Sequence, residues 1–271
     1  MKRRRGVCRC VLFWGLPLAF LVVVVLAMSF FSRNDVEPWP AGASSSPPAV
    51  GETEPVHFRE ARARMVQNDL ASRDITDPRV LEAMGRVPRQ EFMPARFARD
   101  AYRDGPLPIG HGQTISQPYI VALMTQLVQP KPESKALDIG TGSGYQAAIL
   151  AELCDHVYCI EIVEPLAESA RKRLAALGYK NVTVRQGDGY QGWKEHAPFD
   201  AIIVAAAADH VPQPLVDQLA PGGRLVMPVG NYFQELLLVE KRDDGSVERR
   251  TVAAVAFVPM TGEARDERRD E

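Results

Sequence analysis

The chain has 271 residues, 46% of them hydrophobic, which is enough for one ordinary domain with a sizeable core plus extensions. Lys+Arg number 32 and Asp+Glu 34, a net charge of -2, so no general attraction to phosphate backbones exists and a nucleic-acid partner is not expected. Cys8, Cys10, Cys154 and Cys159 show neither zinc-type ligand spacing nor a C-x-x-C, so no metal site is indicated.

Residues 1–10 form a basic flank, with Lys2, Arg3, Arg4, Arg5 and Arg9. No charged residue then occurs from Val11 to Phe31. Such a run is long enough to span a bilayer, which takes ~20 apolar residues. The basic flank ahead of it, with Asp35 and Glu37 after it, predicts a cytoplasmic N-terminus and a membrane-anchored domain on the extracytoplasmic (periplasmic) side. A cleaved signal peptide and a secreted product compete with this, since Ala27 and Ser29 form a small-x-small pair. The length of the apolar run favours the uncleaved anchor over residues 11–31. Cys8 and Cys10 are candidates for acylation beside the membrane. Residues 32–56 are rich in Pro, Ser and Gly and read as a tether that cannot fold alone.

The globular domain is expected over residues 57–271. His57 to Ser72 reads as a helix, with Phe58, Ala61, Met65 and Val66 on one apolar stripe. A short helix over Pro78 to Met84 is capped by Asp77, with proline in its first turn. Strand and helix then alternate. Lys135 to Ile139 is a strand, Tyr145 to Leu153 a helix and His156 to Ile162 a strand. Pro165 to Leu177 is an amphipathic helix ended by Gly178. Val182 and Val184 mark a third strand, and Phe199 to Ala205 a fourth, apolar throughout as a strand buried on both faces should be. Pro212 to Leu219 is a short helix, and Gly222 and Gly223 turn into the strand Arg224 to Val229. Glu235 to Lys241 and Val247 to Val258 are strand-like runs with the hairpin signal Asp244-Gly245 between them. The tail from Glu263 to Glu271 is expected to fray. The pattern predicts an α/β fold: a doubly wound, mostly parallel sheet with antiparallel C-terminal edge strands and an N-terminal helical extension.

The strongest local signal is Leu137-Asp138-Ile139-Gly140-Thr141-Gly142-Ser143-Gly144-Tyr145, between a strand and a helix. Ligands of open parallel sheets bind beyond the carboxyl ends of the strands, and glycines there let them approach the main chain. A dinucleotide site prefers G-x-G-x-x-G, but Tyr145 stands where the last glycine would be. Asp138 also opposes a pyrophosphate and suits a ligand with a positive amine. S-adenosylmethionine has that amine and a sulfonium, and it has no phosphate. Glu161 ends the second strand, where an ionised carboxylate can accept from both hydroxyls of a ribose. Asp188 follows the third strand in Gly187-Asp188-Gly189 and is placed to reach the adenine. Each acid alone is more commonly a turn or cap residue, but three at the ends of consecutive strands point to one ligand.

Ahead of the first strand lies Pro108-Ile109-Gly110-His111-Gly112-Gln113-Thr114-Ile115-Ser116-Gln117-Pro118-Tyr119. This polar, glycine-rich loop resembles the substrate and cofactor loop of the protein-L-isoaspartate (D-aspartate) O-methyltransferases. Val87 to Phe92, Gly187 to Gly189, Ala197 to Ile202, Pro221 to Leu225, Pro228 to Gly230 and Phe257 to Thr261 resemble that family too. The likeness runs from about His57 to Arg265 in order. It implies a Rossmann-like methyltransferase fold, S-adenosyl-L-methionine as methyl donor, no metal, and damaged proteins or peptides containing isoaspartyl residues as partners of a monomer. It implies Ser116 as the active-site residue and Thr114, Ile115, Ser116 and Val229 as acceptor contacts. For the cofactor it implies Gly110, Gln113, Tyr119, Asp138, Gly140, Gly142, Gly144, Glu161, Asp188, Gly189 and Thr261. The family is not usually membrane-tethered, so residues 1–56 depart from its pattern.

The implied acceptor is the free α-carboxylate of an isoaspartyl residue. With a pKa near ~4 it is already a nucleophile at neutral pH, and no general base is required. Catalysis then reduces to alignment, with the Ser116 hydroxyl as a positioning donor. A serine nucleophile would need a histidine and an acid beside it, and nothing in the spacing of His111 and His210 supports that. His156, His196, Trp193 and Tyr190 read as turn or packing residues, and Cys154 and Cys159 as ordinary buried thiols. Two alternatives stay open: a methyltransferase of the same fold with a small-molecule acceptor, and an inactive cofactor-binding scaffold. An exported domain would also need cofactor made in the cytosol, so a cytoplasmic location competes with the exported one.

Overall fold

The computed structural model describes residues 54–266. The basic flank, the apolar run 11–31 and the tether up to residue 53 lie outside the described residues. Among the described residues no helix is long and apolar enough to cross a membrane.

Helix α1 (Val56–Arg64) continues as a wider turn of π type over Met65–Ala71. Its expected stripe is realised: Met65 is buried, and Phe58, Ala61 and Val66 pack against the core. Arg62 of α1 is buried too. It pairs with both Glu54 oxygens at 2.7 and 2.8 Å, and it also reaches the Tyr102 hydroxyl and the Gly85 carbonyl. Helix α2 (Pro78–Arg86) starts as the sequence predicts, with the Asp77 side chain accepting the Arg79 N–H at 2.9 Å. Two 3-10 turns follow, Arg89–Phe92 and Ala95–Asp100.

The glycine-rich loop is more ordered than its sequence suggests. Strands β1 (Leu107–Gly110) and β2 (Gln113–Ile115) form a two-stranded antiparallel sheet of their own. His111 and Gly112 turn between them, both at positive φ (53° and 72°), as tight hairpins require. Strands this short carry no readable alternation. Helix α3 (Pro118–Val128) follows at once and was also not legible. It is apolar on nearly every face and buried from Val121 to Thr125, so it shows no amphipathic period.

Strands β3 (Lys135–Ile139), β4 (His156–Glu161), β5 (Val182–Gln186) and β6 (Phe199–Val204) are those expected, within a residue or two. Between them run α4 (Tyr145–Ala151) and α5 (Glu164–Ala176), and α6 (Gln213–Asp217) precedes the next strand. Strand β7 (Leu219–Val229) starts earlier than predicted. Gly222 and Gly223 lie within it, at an irregular register against β6. Strands β8 (Gln234–Lys241) and β9 (Val247–Val255) complete one seven-stranded sheet in the order β5-β4-β3-β6-β7-β8-β9. Pairing is parallel from β5 to β7 and antiparallel from β7 to β9. Reversal of strand order at β3 opens a crevice at the carboxyl ends, where such sheets bind ligands. The short helix α7 (Glu263–Asp266) ends the described chain.

Cys154 and Cys159 are free, buried thiols. Burial pushes the Cys154 thiol up to about 12 and the Cys159 thiol well up, so neither is a reactive thiolate.

Candidate active site

A cleft open to solvent lies over the carboxyl ends of β3, β4 and β6. One wall is the glycine turn from β3 into α4. Gly140 donates its N–H to the Ile160 carbonyl at 2.9 Å, which pins the turn across the sheet. Gly144 has φ 90°, a conformation strained for any L side chain, and a Cβ there would also crowd Leu174 at 3.1 Å. Glu161, buried at the end of β4, faces the turn and lines the cleft.

Asp138 lies beneath this wall and is fully buried, and neither carboxylate oxygen meets a hydrogen-bond donor. Burial pushes its pKa up to about 7; the nearby Thr141 hydroxyl opposes the rise and the Glu161 charge reinforces it. Asp138 stands one residue behind the cleft lining, and a buried acid without a donor suits a cationic partner. The cleft lining agrees: it holds Glu161 and no Lys, Arg or His. A ligand with an amine and a sulfonium suits this set, and a phosphate does not. Among the described residues no group of His, Cys, Asp or Glu side chains could hold a metal ion.

The second wall is the hairpin. Gln113, Thr114, Ile115 and Ser116 all line the cleft, facing the glycine turn. The third comes from the C-terminal segment, through Val258, Pro259, Met260 and Thr261. That segment is laced to the loop after β6: Ala207 donates to the Val258 carbonyl (2.9 Å), and Met260 donates to the Ala207 carbonyl (2.7 Å).

The cleft thus brings together Gln113, Thr114, Ile115, Ser116, Gly140, Gly142, Glu161, Gly189 and Thr261 of the expected residues. Gly189 packs so tightly that a Cβ would lie 2.2 Å from Ile139 Cγ2 on the cleft floor. The other expected residues stand outside the lining. Gly110 and Gly144 shape the hairpin and the turn from behind. Tyr119 points away: its hydroxyl donates to Asp74 at 2.7 Å and the Arg73 guanidinium sits 3.3 Å from its ring centre. Val229 pairs with Ala208 at the end of β7. Asp188, expected at the adenine, stands outside the lining. One oxygen accepts the Tyr190 N–H (2.9 Å) and the other the Glu263 N–H (2.7 Å). It therefore anchors the C-terminal wall.

Ala205 and Ala206, just beyond β6, and Gln146 of α4 also line the cleft, and the sequence reading passed over them. It also passed over Arg89, whose Nη2 donates to the Ser116 carbonyl at 2.7 Å. The only signal for it was its place in Val87 to Phe92. His210 bonds the Tyr190 hydroxyl (2.9 Å) and Asp209 (2.6 Å). No histidine lines the cleft, so Ser116 has no base beside it there.

The family described as Protein-L-isoaspartate(D-aspartate) O-methyltransferase (PCMT) matches residues 60–265. A protein-L-isoaspartate O-methyltransferase 2 of Syntrophobacter fumaroxidans is 53% identical over 246 residues, covering 90% of this chain and 96% of that one. A second, from a Polaromonas species, is 61% identical over 69% of this chain and 90% of its own length. A solved protein-L-isoaspartate O-methyltransferase superposes with a TM-score of 0.69 at 27% identity, over 77% of this chain and 69% of that one. A Plasmodium falciparum protein assigned to the same activity, solved in complex with S-adenosyl-L-homocysteine, gives 0.65 at 29% identity over 74% of this chain and 98% of that one. The glycine turn, the acid at the end of β4 and the hairpin that faces them thus lie inside a match that spans nearly the whole described chain, and the chain belongs to the protein-L-isoaspartate (D-aspartate) O-methyltransferase family.

Proposed function

We propose that this protein is a repair methyltransferase, which moves a methyl group from S-adenosyl-L-methionine to the free α-carboxylate of L-isoaspartyl residues, and to the side-chain carboxylate of D-aspartyl residues, in damaged proteins. The observation that carries the reading is one cleft in which Thr114 to Ser116 face Gly140, Gly142 and Glu161. When bound, S-adenosylmethionine supplies a methyl carbon made electrophilic by a cationic sulfur. Glu161 holds the ribose hydroxyls, and Asp138 in its ionised form attracts the amine. Thr261 closes the C-terminal wall. Ser116 offers its hydroxyl to one acceptor oxygen, with Thr114 and Ile115 beside it, and aligns a group that is already nucleophilic. The lining holds no histidine, lysine or arginine, in keeping with a reaction that needs neither base nor acid.

The test is labelled methyl transfer by the full-length protein to an isoaspartyl peptide, with the matched aspartyl peptide as control. A base-labile ester on the isoaspartyl peptide alone is expected. Transfer to neither, from folded protein that binds S-adenosylhomocysteine, would sink the reading and favour a small-molecule acceptor.

The apolar run 11–31 supports a single N-terminal anchor, with the methyltransferase domain tethered outside the cytoplasm. Protease added to intact cells should then remove the domain once the outer envelope is permeabilised. Protection until the inner membrane is broken would put it in the cytoplasm.

A further inference from the structure

The hairpin β1–β2 shares no strand pairing with the main sheet, and its Ser116 end leads directly into α3. Arg89 holds it from inside. This residue is 0% exposed. Its Nε donates to the Ala101 carbonyl at 2.8 Å and its Nη2 to the Ser116 carbonyl at 2.7 Å. Nη1 has no partner, and the guanidinium lies 4.8 Å from the centre of the Tyr145 ring. Tyr145 is the first residue of α4, directly after the glycine turn. One side chain therefore touches both the acceptor loop and the cofactor loop. Burial pulls the Arg89 pKa down, the mark of a cation kept at a cost.

Asp104 holds the same turn from outside. Its Oδ2 accepts from Gln117 Nε2 at 2.7 Å and its Oδ1 from the Tyr119 N–H at 3.4 Å. Arg73 fixes Asp104 in turn at 3.2 Å. The Ser116–Gln117 link between β2 and α3 is gripped by a cation on the Ser116 carbonyl and an anion on the Gln117 side-chain amide and the Tyr119 N–H.

We propose that Arg89 is a positioning residue for methyl transfer, the inner half of a clamp completed by Asp104, which sets the Ser116 turn against the glycine turn. It acts through Ser116 and does not touch the reacting atoms. The proposal rests on the isoaspartyl methyltransferase reading for its kinetic readout and stands apart from it in its exchange readout.

Arg89→Lys keeps the charge but cannot reach both carbonyls in the fork geometry of arginine. In the full-length protein it should lower kcat on an isoaspartyl peptide at least tenfold. The dissociation constant for S-adenosylhomocysteine should change less than twofold. In a Ser116→Ala background the same substitution should have little further effect, because the two residues act as a unit. Additive losses, an unchanged kcat, or equal losses in kcat and cofactor binding would overturn the proposal. If Arg89→Lys does not fold, Asp104→Asn carries the test, with the same expected split and the same contrary outcomes. Amide exchange over residues 113–117 reads the clamp without any acceptor. It should rise severalfold in either variant while β3 to β6 stay protected, and no rise would overturn the clamp. A wild-type protein inactive on the isoaspartyl peptide would remove the substrate reading and leave the exchange result to decide the clamp.

Discussion

The Gly142 N–H donates to Glu161 Oε2 at 2.7 Å, so the acid at the end of β4 is tied to the turn that follows β3. Its other oxygen accepts the Val163 N–H at 2.9 Å. Each oxygen of an ionised carboxylate keeps a further lone pair, so the same group can fix the loop and still receive a diol. Glu161→Ala should weaken S-adenosylhomocysteine binding by roughly 10- to 100-fold, the worth of charged hydrogen bonds, and loosen the turn as well. Calorimetric titration measures this, and an unchanged dissociation constant would remove Glu161 from the ribose.

Asp138 should make cofactor binding depend on pH. Its folded pKa is raised by burial to about 7, and a cation beside it favours the ionised form and lowers that value. Binding then releases a proton below about pH 7, so affinity falls as pH drops through that range, by up to about tenfold per unit, and levels off above it. Asp138→Asn should bind more weakly and lose the slope. A wild-type profile that stays flat from about pH 5 to 8 would count against an amine at Asp138.

Ser116→Ala should lower kcat by on the order of 100-fold, as loss of one aligned donor does elsewhere, while cofactor affinity stays within twofold. Steady-state kinetics beside a binding titration separates the two. Equal losses in both would mean that the serine shapes the loop and does not position the acceptor.

Asp188→Ala should act through the C-terminal wall. Its carboxylate accepts from Glu263 N–H and Tyr190 N–H, so the substitution frees Val258 to Thr261 from their anchor. Cofactor affinity should fall and limited proteolysis should gain a cut near residue 262. Weaker binding with no new cut would return Asp188 to the adenine contact that the sequence suggested.

The contrast between these acids shows what a sequence can and cannot convey. Asp138, Glu161 and Asp188 follow one rule, an acid at or near the end of each consecutive strand, and of the three Glu161 lines the cleft. Their roles diverge because of contacts distant in the chain: Asp188 meets Glu263, 75 positions later. The strands β3, β4 and β6 were legible since a buried parallel strand is a short apolar run with turn signals at its ends. The hairpin and α3 were not, since a strand of three residues has no period and a helix buried all round has no polar face. Arg89 was hidden for a simpler reason. An arginine is ordinarily a surface residue, and only its burial against Ser116 marks it as anything else.

The hairpin that carries Thr114 to Ser116 is a sheet apart from the one that carries the glycine turn and Glu161. The proposed acceptor contacts thus lie on a different piece of backbone from the glycine turn and Glu161, with Gln113 as the ribbon's own contribution to the proposed cofactor side. Changes confined to Thr114, Ile115 and Ser116 can therefore alter which carboxylates are accepted and leave the glycine turn and Glu161 as they are. A lineage could shift its targets by drift in one short ribbon, and the conservative sheet beneath it would keep no record of the change.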